Sequence, residues 1–136
     1  MGSKKDRKDI AQDLLTSERQ YVESLHTLVD VYVTPCTNLS KSADATLQIC
    51  LPEDVPVLFS NVASLVNLSS TFVNDLDSRL RNWRGDTTCI GDVLCNFVPM
   101  FKMYQPYVAN HSDAALRVQQ LSYNDGFRSF LFRGIV

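Results

Sequence analysis

Leu14-Leu15-Thr16-Ser17-Glu18-Arg19-Gln20-Tyr21-Val22-Glu23-Ser24-Leu25 is the stretch on which the fold turns, because it carries an amphipathic helix with one residue of the wrong polarity. At about 100° per residue, Ile10, Leu14, Tyr21, Leu25, Leu28, Val29 and Tyr32 fall within one stripe roughly 100° wide. Glu18 projects inside that stripe, between Leu25 and Val29. An unpaired carboxylate in an apolar contact costs about several kcal/mol. Three readings follow: Glu18 is buried with a partner, the stripe is left open there for something to dock, or the stripe ends early with Glu18 at its wet edge. The helix is expected from about Asp9 to Val33 and to stop at Thr34-Pro35, since proline disfavours helix in the residue before it.

Beyond it, the polar run from Cys36 to Leu51 has no sustained period and reads as a loop with room for one helical turn. Pro52-Glu53-Asp54 opens a second helical region, proline and acid being welcome in a first turn. Apolar residues from Val55 to Leu80 recur there three and four apart, with a break expected near Pro56 or Ser69-Ser70. After Gly85-Asp86-Thr87-Thr88, a third stripe runs through Ile90, Val93, Leu94, Phe97, Phe101, Tyr104, Tyr107 and Val108. Pro99 and Pro106 should kink or divide it, each removing a backbone donor at about 3 kcal/mol in a helix interior. Ser112-Asp113 is expected to cap a fourth helix reaching about Tyr123, with Ala115, Leu116 and Leu121 inward, before a last short helix over Phe127 to Phe132. No strand pattern or repeat competes, so the class is all-α, an antiparallel bundle of long helices.

At 136 residues and 45% hydrophobic the chain has room for one domain and one core. The expected organisation is a polar basic tail over residues 1–8 and a helical domain over 9–136. The net charge of -2 supplies no basic footprint for nucleic acid. Cys36, Cys50, Cys89 and Cys95 lack both zinc-site spacing and the density of a disulfide scaffold, so reduced thiols are expected. His26 and His111 belong to no metal or triad motif. Asn38, Asn67 and Asn110 open Asn-X-Ser triplets, which carry no weight without a secretory signal. Asp6 stands where a myristoylation motif wants Ser or Thr. With no signal peptide and no integral membrane segment, a cytoplasmic location is expected.

The chain resembles a Dbl homology domain, the exchange-factor domain that acts on Rho-family small GTPases. Leu14-Leu15-Thr16-Ser17-Glu18, followed by Tyr21-Val22 and Leu25, is similar to the family's first conserved segment. Leu58-Phe59-Ser60-Asn61-Val62, Ile90-Gly91-Asp92-Val93 and Phe101-Lys102-Met103-Tyr104 with Tyr107 and Asn110 follow in the family's order. The family's third segment, a long helix ending in a Pro-Val-Gln-Arg-Ile-like sequence, has no match here, and neither has a pleckstrin homology domain. The chain thus looks like the N-terminal portion of such a domain.

The resemblance implies signal transduction without covalent chemistry or a cofactor. The domain binds the switch regions of the GTPase, disturbs its magnesium and nucleotide site and holds the nucleotide-free state. It also implies a GTPase-binding role for Glu18, through hydrogen bonds to the first switch. Tyr21, Val22, Leu25, Tyr104, Tyr107 and Asn110 read as packing and capping groups. No paired-carboxylate, Ser-His-Asp, Cys-His or Gly-rich phosphate motif appears. The alternative is a non-catalytic helical interaction or regulatory fragment. Without the third segment, part of the Ile10 to Tyr32 stripe lacks its usual cover. The isolated chain is therefore expected to exchange nucleotide weakly and to self-associate, with the Phe127 to Phe132 tail or a second copy closing over the Glu18 face.

Overall fold

Asp6 starts the first helix. Its carboxylate accepts the Asp9 backbone N–H at 2.9 Å while the Asp9 carboxylate accepts the Asp6 N–H, a reciprocal cap that satisfies donors a helix start leaves open. Helix α1 (Arg7–Leu28) therefore begins ahead of the expected Asp9. The computed structural model describes residues 6–133. Met1 to Lys5 of the expected basic tail lie outside the described residues. Arg7 is no loose cation: its guanidinium donates to the carbonyls of Asp86 and Thr88 and lies 5.5 Å from the centre of the Trp83 ring.

The buried face of α1 is not the stripe the sequence suggests. Ala11, Leu15 and Leu25 are buried and Val22 is half-buried, whereas Ile10 is 58% exposed and Tyr21 37%. On the same projection the true face is turned by about 60°. The expected stop at Thr34-Pro35 is also corrected. Val29–Val33 form a π-helical turn, in which the Thr34 N–H reaches back to the Val29 carbonyl, and the helix resumes as α2 (Thr34–Ser40). Pro35 sits in the first turn of α2, and the widened turn before it absorbs the missing donor. Cys36 to Ser40, the start of the expected loop with its single helical turn, thus continue the helix, and Cys36 is fully buried.

The second region divides into α3 (Asp54–Phe59) and α4 (Val62–Arg81). The break falls at Ser60, whose φ of 51° is the positive-φ exception among the described non-glycine residues. Pro56 lies in the first turn of α3, where no partner is needed for its nitrogen, and α4 runs straight through Ser69-Ser70. Helix α4 is the centre of the fold, burying Val62, Leu65, Val66, Leu68, Ser69, Phe72, Val73, Leu76 and Leu80. Helix α1 packs antiparallel along it: Leu25 meets Val62 and Val66 near the start of α4, while Arg19 reaches Asp77 near its end, at 2.6 Å.

Helix α5 (Gly91–Phe97) closes the far side of that core through Val93 and Phe97, and a forked pair of bonds from Arg79 to Asp92, both 2.7 Å, clasps it to α4. Pro99 divides the third stripe as expected. A 3-10 stretch over Val98–Met103 leads into α6 (Tyr104–Ala109), with Pro106 in its first turn. Helix α7 (His111–Leu121) starts just ahead of the expected Ser112-Asp113 cap. Of the residues expected inward, Leu121 faces the apolar side, joined there by Val118, whereas Ala115 and Leu116 are exposed. Helix α7 packs on α3, where Arg117 pairs with the buried Asp54 carboxylate, which also accepts the Leu51 N–H at 2.8 Å.

Helix α8 (Asp125–Arg133) seats Phe127 and Phe130 among Cys36, Ile49 and Cys50. The tail thus folds back, but onto the α2 end of the molecule and not across Glu18. The all-α class holds, with no strand among the described residues. Among those residues, no helix is long and apolar enough to cross a membrane.

All four cysteines are free thiols. Cys36 and Cys50 are buried with their Sγ atoms 3.3 Å apart, and burial pushes the Cys36 thiol up to about 12 and the Cys50 thiol upward as well. Because the thiolate is the reactive form, a thiol reagent should label exposed Cys89 and Cys95 rapidly and the buried pair only on unfolding. The intact mass of unreduced protein checks this. A mass short of two hydrogens, mapped to Cys36 and Cys50, would count against it.

Candidate functional site

On the true inner face of α1 the residues run Ala11, Leu15, Glu18, Val22 and Leu25, spaced alternately four and three apart. Glu18 is therefore near the middle of the row that meets α4, not at its margin. Opposite it, α4 presents Leu68, Ser69 and Phe72, and the 3-10 stretch and α6 add Phe101 and Tyr104. Ser69 is the small member of an otherwise bulky row. Two large side chains facing each other would fill this level of the interface, whereas a serine opposite a half-buried carboxylate leaves a pit of about 260 Å³. Tyr21 forms its rim.

Glu18 accepts no hydrogen bond and makes no ion pair among the described residues. The adjacent cation is occupied elsewhere: Arg19 turns to Asp77, which also takes Arg81 at 2.9 Å. Loss of water around Glu18 raises its carboxyl above the usual carboxylate range, the expected response of a charge that burial disfavours and no partner compensates. Beside it runs a chain of hydroxyls. Tyr21 Oη and Tyr104 Oη are 2.7 Å apart, and Tyr104 Oη lies 3.3 Å from Ser69 Oγ. Desolvation first, then the Tyr104 hydrogen bond and nearby charges including that of Glu18, pushes the Tyr21 phenol well above its ordinary value. The Tyr21 hydroxyl therefore stays neutral across the physiological range.

The 98–110 segment that carries the outer wall is fixed by two asparagines. Asn61 donates to the Met103 carbonyl at 2.8 Å and Asn110 to the Val57 carbonyl at 2.7 Å. Val22 and Leu25 pack as the sequence suggests, and Asn110 ties segments together. Tyr21 and Tyr104 do more than pack, since both line the pit. Ser69, Phe72 and Phe101 were not anticipated there. The available signal was a small polar residue within the apolar row of α4, which the sequence reading took for a possible break. Among the described residues no group of three His, Cys, Asp or Glu side chains gathers as a metal would require. The pit offers one charged acceptor without a donor, set among aromatic edges. Such an arrangement receives an N–H or O–H from outside.

The two longest helices thus leave an unpaired carboxylate open on their contact face. A RhoGEF domain profile matches residues 10–133, and the chain belongs to that family, the Dbl homology domains. It is 37% identical over 116 residues to human FYVE, RhoGEF and PH domain-containing protein 2, covering 84% of this chain and 17% of that protein. To human FYVE, RhoGEF and PH domain-containing protein 3 it is 34% identical over 128 residues, covering 93% of this chain and 16% of the relative. Rat Ras-specific guanine nucleotide-releasing factor 1 is 26% identical over 129 residues, covering 95% of this chain and 10% of its own. The chain thus spans less than a fifth of the length of these relatives.

Proposed function

We propose that this domain is a guanine-nucleotide exchange module for a Rho-family small GTPase, acting in the cytoplasm. In this reading Glu18 engages the GTPase switch region, and the domain favours the nucleotide-free state by binding it more tightly than the loaded one. No bond is made or broken in the exchange factor, so the effect is a shift of populations set by differential affinity. The observation that carries the reading is the unpaired Glu18 carboxylate, desolvated in a pit on the helical scaffold of a RhoGEF domain. A carboxylate so placed gains most from a partner that supplies the missing donor.

The test is nucleotide release from a panel of Rho-type GTPases with and without the protein, paired with capture of the nucleotide-free GTPase. Capture of one or more members, with faster release, is expected. A panel in which none is captured and none released faster rejects the proposal. Capture without faster release would favour the non-catalytic interaction module.

Self-association is expected as well, and the face involved is away from Glu18. An open groove of about 410 Å³ lies between Leu28, Tyr32, Leu58, Phe59 and Phe130, with Phe132 59% exposed at its edge. Apolar surface of this kind is readily covered by a second copy. Light scattering should show mass rising with concentration, and Phe132→Glu should suppress the rise. A monomer at all concentrations would remove the prediction.

A further inference from the structure

Tyr21 stands one turn beyond Glu18 on the same helix, at the spacing where side chains meet, and a helical tyrosine leans back over the preceding turn. Its hydroxyl is thus the side-chain group one turn from Glu18 on α1 that could donate to the carboxylate, yet it is hydrogen-bonded with the Tyr104 hydroxyl at 2.7 Å, which in turn lies 3.3 Å from Ser69 Oγ. Tyr21 is 37% exposed, so its ring is not locked by packing alone. Tyr104 is better held: its ring meets Phe101 edge-on at 6.4 Å, and the backbone just before it is pinned by the Asn61 bond to Met103.

We propose that Tyr104 is a positioning residue for the Glu18 site: by engaging the Tyr21 hydroxyl it keeps that hydroxyl off the Glu18 carboxylate, which stays unsatisfied until a partner supplies the donor. The inference rests on the Glu18 reading above and deepens it. Without the Tyr104 hydroxyl, Tyr21 loses its hydrogen-bond partner and turns to the carboxylate one turn below, a charge-assisted bond stronger than a neutral one. The partner then has to break that bond before it can bind.

This device makes a prediction that simple packing does not. Tyr104→Phe, which keeps the ring, should weaken capture of the nucleotide-free GTPase about tenfold, the value of one charge-assisted hydrogen bond. Tyr21→Phe alone measures what the rim hydroxyl itself contributes to capture. The double variant Tyr21→Phe/Tyr104→Phe should bind as Tyr21→Phe does and more tightly than Tyr104→Phe, because the competing hydroxyl is gone. If Tyr104 were merely structural, the double variant would be as weak as Tyr104→Phe or weaker, and that result overturns the proposal, as does a Tyr104→Phe variant that binds normally. A second readout needs no GTPase. Carboxyl-carbon NMR should show the Glu18 titration midpoint falling by about one unit in Tyr104→Phe, through the new bond to the ionised form, and returning in the double variant. An unmoved midpoint sinks the inference even if the GTPase reading stands. A moved midpoint with no GTPase captured by the parent keeps this device and rejects the exchange reading.

Discussion

Replacing Glu18 by Gln or Ala is expected to weaken capture of the nucleotide-free GTPase about 10- to 100-fold, with no loss of folded stability. A hydrogen bond to a charged group contributes about 1.5–3 kcal/mol, which is that range in affinity. The stability side follows from the environment of the carboxylate. Burial raises its titration above the ordinary range, so folding favours the protonated form. A group shifted this way contributes stability fully at pH below its unfolded value, and the contribution is lost as pH rises through the folded value. At neutral pH the charged carboxylate is therefore a small burden on the fold, and Glu18→Gln should melt at or slightly above the parent temperature. That margin should close as pH falls through the carboxylate range. Binding should show the opposite trend, weakening as Glu18 is protonated. Lost binding together with a lower melting temperature would mean that Glu18 is structural. Unchanged binding would mean that the partner docks elsewhere.

The same residue shows what could be read in advance and what could not. That Glu18 violates an apolar helical face is visible in the sequence, because the violation is one of period and needs no tertiary information. How deeply it sits in that face was not visible. Counting only large apolar residues centred the stripe on Leu14, Tyr21 and Leu25, while the observed centre also depends on Ala11 and Leu15, and a small alanine is where α1 can approach α4 closely. The walls of the pit come from Ser69, Phe101 and Tyr104, which lie 51, 83 and 86 positions after Glu18 by subtraction of their numbers. No local periodicity reports which of two helices will bring a serine opposite a glutamate.

The breaks in the helices were legible where the backbone itself enforces them, as at Pro99. They were misplaced where tertiary contacts decide. Pro35 was taken for a terminator, but a π turn carries the chain past it into α2, where Cys36 is fully buried. Ser60 gave no sign of its positive φ. There the chain turns between α3 and α4 with ψ -132° at Ser60, outside the left-handed helical well, a backbone region that a side chain occupies at a cost.

Phe127→Ala is expected to produce the largest loss of stability, about 3–5 kcal/mol, the usual range for deleting a fully buried phenylalanine ring. Phe127 is 1% exposed and lies with Cys36, Ile49, Cys50 and Phe130 in the cluster that joins α8 to α2 and the segment before α3. Its place is fixed from both directions. The Asn124 side chain accepts the Phe127 N–H at 3.2 Å, and Phe130 meets Tyr32 edge-on at 5.8 Å in the same layer. Collapse into the space left by the ring is therefore limited, and a cavity term adds to the lost transfer energy. Set against a whole-domain stability of about 5–15 kcal/mol, the change should lower the melting temperature on the order of 10–20 °C and move the urea midpoint down at constant slope. Phe132→Ala, in the same helix but 59% exposed, should leave both nearly unchanged. None of the residues around Phe127 lines the Glu18 pit. Measured at low temperature and corrected for the folded fraction, the affinity of Phe127→Ala for a nucleotide-free GTPase should therefore match that of the parent. A small shift on Phe127→Ala would show that α8 is dispensable to the core, whereas a large one with affinity also lost would show that the two ends of the domain are coupled.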